Sequence, residues 1–126
     1  MIDVDPNDFV IARLSLDKFQ NLMDFMGNIS RFIAGIIRTV DSVTLVIQKG
    51  GWRRIEFDYD EGHTREGYRL ITVTPGPESD EGSTWPGIVE KLAERTIKAT
   101  LLSAFSKYLV LVPQNQLEDA LKALSN

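Results

Sequence analysis

The pattern of apolar and polar positions divides the chain into ten elements. Phe9–Leu14 (Phe-Val-Ile-Ala-Arg-Leu) is apolar on both faces apart from Arg13 and predicts a mostly buried strand. Residues 1–8 carry three Asp and one Pro and predict a polar lead-in. Ser15 suits the N-cap of a helix over 16–26, because its hydroxyl can accept from an early orphan N–H. Leu16, Phe19, Leu22, Met23 and Met26 recur on one face of that helix, and Gly27-Asn28 supplies its stop. Phe32–Thr39 and Ser42–Ile47 follow as strands separated only by Val40-Asp41, a gap that implies an antiparallel hairpin. Gly35 suggests a bulge or a close backbone approach within the first of them. Lys49-Gly50-Gly51 reads as a second tight turn.

Trp52–Tyr59 sets Ile55, Phe57 and Tyr59 against Arg54, Glu56 and Asp58, the period of two expected of a half-buried strand. Residues 58–67 form a charged turn, and Tyr68–Val73 is another strand. Thr74–Gly82 holds two Pro, two Gly and three acidic residues and has no large apolar side chain, so it reads as loop. Ser83-Thr84-Trp85-Pro86-Gly87 then turns sharply into a helix. Pro86 fits its first turn, where a missing N–H has no intrahelical partner to lose. Ile88, Val89, Leu92 and Thr96 recur at helical spacing and mark the expected buried face. Ala99–Phe105 and Tyr108–Val112 are strands, and Pro113 ends the second. Asn115-Gln116-Leu117-Glu118 resembles a capping box ahead of a last helix with Leu117, Ala120, Leu121 and Leu124 on its apolar stripe.

The predicted order is β-α-β-β-β-β-α-β-β-α. Hairpin-linked strands with interspersed helices favour α+β over a doubly wound parallel sheet. The halves 1–66 and 67–126 share a shape, which suggests two compact pseudo-repeats with mainly antiparallel sheets and helices on one face. The first half lacks its second helix in this reading. The second ends on a helix with no strand after it, which Phe9–Leu14 is placed to supply.

Composition narrows the function classes. The chain has 126 residues, enough for one domain or two very small ones sharing a core. The absence of Cys excludes disulfides and thiolate metal sites and fits a reducing compartment. A net charge of −4 argues against nucleic acid as the partner. No signal-peptide pattern opens the sequence, and Phe32–Ile37, the longest apolar run, is too short to span a bilayer. A cytoplasmic location without membrane contact is expected.

The only His lies in Asp58-Tyr59-Asp60-Glu61-Gly62-His63 beside three carboxylates. That run fails the calcium-loop pattern, because Gly62 takes a ligand place and no acid closes the loop. A transition metal would want a further His or a Cys. A solvated turn is the better reading, and no metal or cofactor is expected. Arg53, Arg54, Arg65 and Arg69 interleave with Glu56, Asp58, Asp60 and Glu66, which suggests cross-strand charge pairing. No nucleophile–base pair, phosphate-cradling loop or paired acid is evident, so no enzyme activity is expected.

The candidate site is the helix start at Thr84–Ile88. Its exposed N–H groups suit a carboxylate or phosphate, with the Thr84 hydroxyl beside them. The plainer alternative is that Thr84 merely caps and Trp85 packs.

An ordered set of segments resembles the amino-acid-binding ACT domain, a ferredoxin-like β-α-β-β-α-β fold. More closely, it resembles the compact two-repeat ACT-like proteins related to the CASTOR arginine sensors. In the second half the likeness is carried by Gly67-Tyr68-Arg69, Pro86-Gly87-Ile88, Lys91-Leu92-Ala93, Ser103-Ala104-Phe105, Tyr108–Pro113 and Leu117–Leu124. In the first half it is carried by Ile37–Val46, and Trp52–Glu66 looks like an insertion.

The resemblance implies a regulatory sensor that binds a small molecule, an amino acid above all, and responds by changing its assembly. It implies ligand contacts from Thr84, Trp85, Gly87 and Ile88, with Ser103, Ala104 and Phe105 alongside. It also implies a homo-oligomer, a dimer in the simplest case, acting on an unknown protein target. The alternative is a scaffold of the same fold that binds no metabolite. Relatives tend to carry acids between the paired strands, where this chain has Ser103-Ala104-Phe105-Ser106-Lys107-Tyr108. Lys107 therefore suits an acidic or neutral ligand better than arginine.

Overall fold

The computed structural model describes residues 1–56, 63–76 and 85–125. The apolar runs form strands β1 (Ile2–Ser15), β2 (Ile33–Arg38), β3 (Ser42–Gln48), β4 (Thr64–Val73), β5 (Thr100–Ser103) and β6 (Tyr108–Pro113). Helices α1 (Leu16–Ile29), α2 (Lys49–Trp52), α3 (Trp85–Glu94) and α4 (Leu117–Ser125) connect or follow them. Short 3-10 turns occupy Ser30–Phe32 and Gln114–Gln116. The fold is α+β, with one antiparallel sheet in the hydrogen-bonded order β2-β3-β1-β4-β6-β5. The chain divides into two compact units, Asn7–Gly67 and Met1–Pro6 with Tyr68–Asn126.

In the 7–67 unit, Phe9–Ser15 of β1 pairs antiparallel with β3, Val10 facing Ile47 and Leu14 facing Val43. β2 and β3 form the predicted hairpin, and their register shifts between Ile33 and Gly35. Glycine thus marks a bulge, as the sequence suggested. The core gathers Val10, Ala12, Leu14, Leu22, Ile29, Val43, Leu45, Ile47, Trp52 and Ile55. Ser15 caps α1, its side chain accepting from Lys18 N–H at 3.3 Å.

Two expectations about α1 fail. α1 runs through Gly27 to Ile29, because Ile29 is fully buried and its packing outweighs the poor helix propensity of glycine. Met23, expected on the inner face, is exposed.

Trp52 and Ile55 do not open a strand. Lys49–Trp52 is a short helix followed by a turn, and it buries Trp52 and Ile55, three positions apart, together. Gly51 permits this. A Cβ there would lie 2.5 Å from Phe32 Cβ and 2.7 Å from its Cγ, so the ring of Phe32 occupies the space a side chain would need. Phe57 and Tyr59 lie outside the described residues.

In the other unit, β4 pairs with β6 from Tyr68–Pro113 to Val73–Tyr108, and β5 pairs with β6 from Thr100–Leu111 to Ser103–Tyr108. Met1 and Thr74 exchange backbone hydrogen bonds of 3.0 and 2.9 Å. The polar stretch at the start of the chain is therefore strand rather than lead-in, because ladder bonds use backbone groups whatever the side chains. β1, whose Phe9–Leu14 the sequence offered as a closing strand for this half, stands next to β4 as well as β3 in the strand order, with Phe9–Ser15 paired to β3. Arg69 donates to the Asp5 carbonyl at 3.0 Å.

The core of this unit gathers Ile71, Val73, Ile88, Leu92, Ile97, Val110, Val112, Ala120, Ala123 and Leu124. α3 ends at Glu94, and Thr96 is exposed rather than part of the buried face. Thr96 N–H donates to Ala93 and Ile97 N–H to Leu92, each at 3.0 Å, with Thr96 at φ 55°. Those bonds are a Schellman closure, with threonine in the place usually held by glycine. None of the described helices is long and apolar enough to cross a membrane.

Candidate functional site

The start of α3 and the β5–β6 hairpin belong to the same unit, and two contacts bring them together. The Trp85 ring packs on Tyr108 with centroids 5.4 Å apart and planes tilted by 47°. Tyr108 in turn faces Ser103 across the hairpin. The ring contact thus sets the first turn of α3 against Tyr108, whose partner across the hairpin is Ser103.

Within that turn Trp85 and Gly87 each carry an N–H without an intrahelical partner, whereas Pro86 carries none. Gly87 is partly exposed and adds no side chain over the backbone. Ile88 is fully buried in the core, so any contribution it makes to a ligand is through its backbone. Thr84 lies outside the described residues.

The hairpin turn separates the remaining candidates. Ala104 N–H donates to the Lys107 carbonyl at 2.9 Å and closes a two-residue loop of Phe105 and Ser106. Ala104 stands next to Ser103 at the exposed base of this turn. Phe105 points away from any neighbour at its tip, with 108% relative exposure. It takes no part in the ring contact between Trp85 and Tyr108.

Tyr108 was not among the residues the sequence singled out. Its place as the first residue after the hairpin turn, opposite Ser103, was the available signal.

The polar part of the 7–67 unit's own hairpin is differently equipped. Thr39 N–H donates to the Ser42 carbonyl at 2.8 Å, the same closure as in the other hairpin. There Thr39 Oγ1 donates to Asp41 at 2.9 Å and lies 3.1 Å from Ser42 Oγ. The acid that the β5–β6 turn lacks is thus present in the β2–β3 turn as Asp41.

A cavity of about 360 Å³ lies away from that ring contact, lined by Arg95, Leu121, Lys122 and Ser125. It sits beyond the far end of α3, a helix roughly 15 Å long at 1.5 Å per residue. Among the described residues no group of three or more His, Asp or Glu side chains could hold a metal ion. His63 is described and exposed, while the carboxylates at 58, 60 and 61 lie outside the described residues.

No protein-family description matches the chain, and no curated protein does. Solved structures match over nearly its whole length. A protein of unknown function from Vibrio cholerae superposes with a TM-score of 0.71 at 22% identity, covering 98% of this chain and 85% of its own. Aspartate kinase from Clostridium acetobutylicum, an allosteric enzyme, gives 0.74 at 15% identity. The match covers 98% of this chain but only 33% of that enzyme. The ligand-free regulatory subunit of aspartate kinase from Thermus thermophilus gives 0.67 at 12% identity, with 99% and 95% covered. At these identities the likeness is one of fold, and that fold is the ACT type found in aspartate kinase regulatory domains.

Proposed function

We propose that the chain is a small-molecule-binding regulatory domain, with an amino acid as effector, that acts by shifting the equilibrium between assemblies. The observation that carries this reading is the Trp85–Tyr108 ring contact, which sets the first turn of α3 beside the β5–β6 hairpin. A fold shared with aspartate kinase regulatory domains supports it.

In the proposed pose the effector's carboxylate accepts from the backbone N–H groups at Trp85 and Gly87, where the helix dipole favours negative charge, and Ile88 anchors the turn in the core. Ser103 and Ala104 line the opposite wall, and Trp85 and Tyr108 supply an apolar flank. Lys107 lies one position from Tyr108, which favours an acidic or neutral side chain over a basic one. The finer kinship with arginine sensors is therefore not part of the reading.

Binding changes the assembly only to the extent that the effector prefers one state. We assign no catalytic residue and no cofactor, and place the protein in the cytoplasm with an unidentified protein target.

The scaffold alternative has its own supporting observation. β2 is an edge strand with Ile36, Ile37 and the adjoining Val40 exposed, and Phe105 is exposed at the other hairpin. An unpaired edge flanked by apolar side chains is a surface for a second copy. In the sensor reading the same surface supplies the assembly that the effector modulates.

Gly87→Asp tests the site. A carboxylate in the first turn of a helix favours the helix, so the variant keeps its fold. It also repels an incoming carboxylate. Calorimetric titration with each binding amino acid should give no heat for this variant against a clear isotherm for the wild type. Equal affinity in both places the ligand elsewhere.

A further inference from the structure

A second feature, in the 7–67 unit, is independent of that site. The guanidinium of Arg31 stands 4.7 Å from the centroid of the Phe32 ring, and that of Arg54 stands 5.1 Å from the same centroid. Both cations are therefore held by one ring, within about 10 Å of each other, at distances where the ring quadrupole attracts them. The ring itself is fixed, because its Cβ, Cγ and Cδ2 fill the space above Gly51. Arg53 and Lys49 extend the positive charge along α2 and the turn after it. Arg31, Arg53 and Arg54 are exposed. Among the described residues none of these four cations has a hydrogen-bond or ion-pair partner. Arg53 and Arg54, expected on a strand, follow a short helix instead.

The corresponding junction of the other unit, before its second strand and after its third, is closed differently. Gln116 Oε1 accepts from Lys98 N–H at 3.0 Å, and Gln116 Nε2 donates to the Thr96 carbonyl at 3.3 Å. That junction is satisfied internally. The Arg31–Phe32–Arg54 junction instead presents two guanidiniums oriented by one ring and without a partner among the described residues.

We propose that Arg31, Phe32 and Arg54 form a docking platform for an acidic face of a partner protein. The occupant follows from the chemistry. A guanidinium fork matches a carboxylate with two parallel hydrogen bonds, and stacking on a ring fixes its orientation before binding. Carboxylates three or four residues apart on a helix have Cβ atoms roughly 5–6 Å apart, so two of them reach both forks. A nucleic acid is disfavoured, since the chain carries 18 acidic against 14 basic side chains and phosphate backbones demand a broad positive surface.

The test uses the full chain and a fluorescein-labelled oligoglutamate peptide, read by fluorescence anisotropy at low and raised salt. Wild type should bind, with affinity falling as salt rises. Arg31→Gln with Arg54→Gln should weaken binding at least tenfold. Arg95→Gln with Lys122→Gln, the same loss of charge at the cavity of the other unit, should change it less than twofold. Arg31→Lys with Arg54→Lys keeps the charge, loses the fork and should fall between.

Circular dichroism confirms that each exposed double variant folds, and the lysine pair decides the matter should the glutamine pair fail to. Four results would each overturn the proposal. They are no binding by wild type, equal losses in both glutamine pairs, tighter binding of single-stranded DNA or inorganic phosphate than of the peptide, and stronger peptide binding once Asp58, Asp60 and Glu61 are neutralised. The last would make the chain's own carboxylates the occupant.

Discussion

Thr96 adopts a left-handed backbone, φ 55°, that a β-branched residue rarely takes. It does so because the Schellman bonds from Thr96 and Ile97 end α3 and swing Ile97 into the core. Thr96→Gly relieves that strain and should stabilise the protein by about 1 kcal/mol in urea denaturation. A loss of stability would mean that the threonine side chain makes a compensating contact. Gly51→Ala should do the reverse. Its new Cβ would meet Phe32 at 2.5 Å, an overpacking that costs about 1–3 kcal/mol. An unchanged denaturation midpoint would show that Phe32 can move aside. Neither effect was legible in the sequence. Thr96 looked like one more apolar-face position at helical spacing, and Gly51 like half of a tight turn. What decides both is a partner distant in the chain or a backbone angle, and hydropathy encodes neither. The same holds for Tyr108, whose contact with α3 is made by the ring of Trp85.

Elements marked by a continuous apolar run or a helical apolar stripe were readable, and those held by backbone bonds or by a neighbour were not. β3, β6 and α4 follow the apolar pattern, α3 buries Ile88 and Leu92 as expected but exposes Val89, and the bulge at Gly35 follows from glycine in a strand. The start of β1 carries Asp3, Asp5 and Pro6, so its side chains gave no hint of the strand that its backbone makes. Lys49–Ile55 was misread because Ile55 fits a period of two as well as a turn that buries Trp52 beside it. The junctions show that equivalent elements can be closed by different chemistry. Gln116→Ala removes two hydrogen bonds that hold residues 96–98 and should cost about 1 kcal/mol, measured by chemical denaturation. No loss would mean that water replaces the amide fully. On the exposed edge strand, Ile37→Glu should leave monomer stability within about 0.5 kcal/mol. If β2 is an oligomer surface, the variant should also lower the mass found by light scattering. A mass unchanged from wild type would remove β2 from the assembly.

At the scale of the whole molecule, two units of similar build each enclose their own core, and the regulatory reading rests on one of them. The α+β class and the ACT-type likeness were legible because they depend on the order of elements, which survives the misreading of one strand. The effector was not legible, because a helix start offers the same N–H groups to any carboxylate and selectivity lies in the side chains around it. The proposal makes the effector a stabilising ligand of the folded state. An effector at one hundred times its dissociation constant should stabilise the protein by roughly 2.7 kcal/mol, which raises the melting temperature by several degrees. The most direct measurement is a thermal-denaturation screen of the full chain against the twenty amino acids at millimolar concentration, with Gly87→Asp run in parallel. The account predicts a rise with at least one acidic or neutral amino acid and none in the variant. A flat response to all twenty, with wild type a well-defined oligomer by light scattering, would contradict it and leave the scaffold.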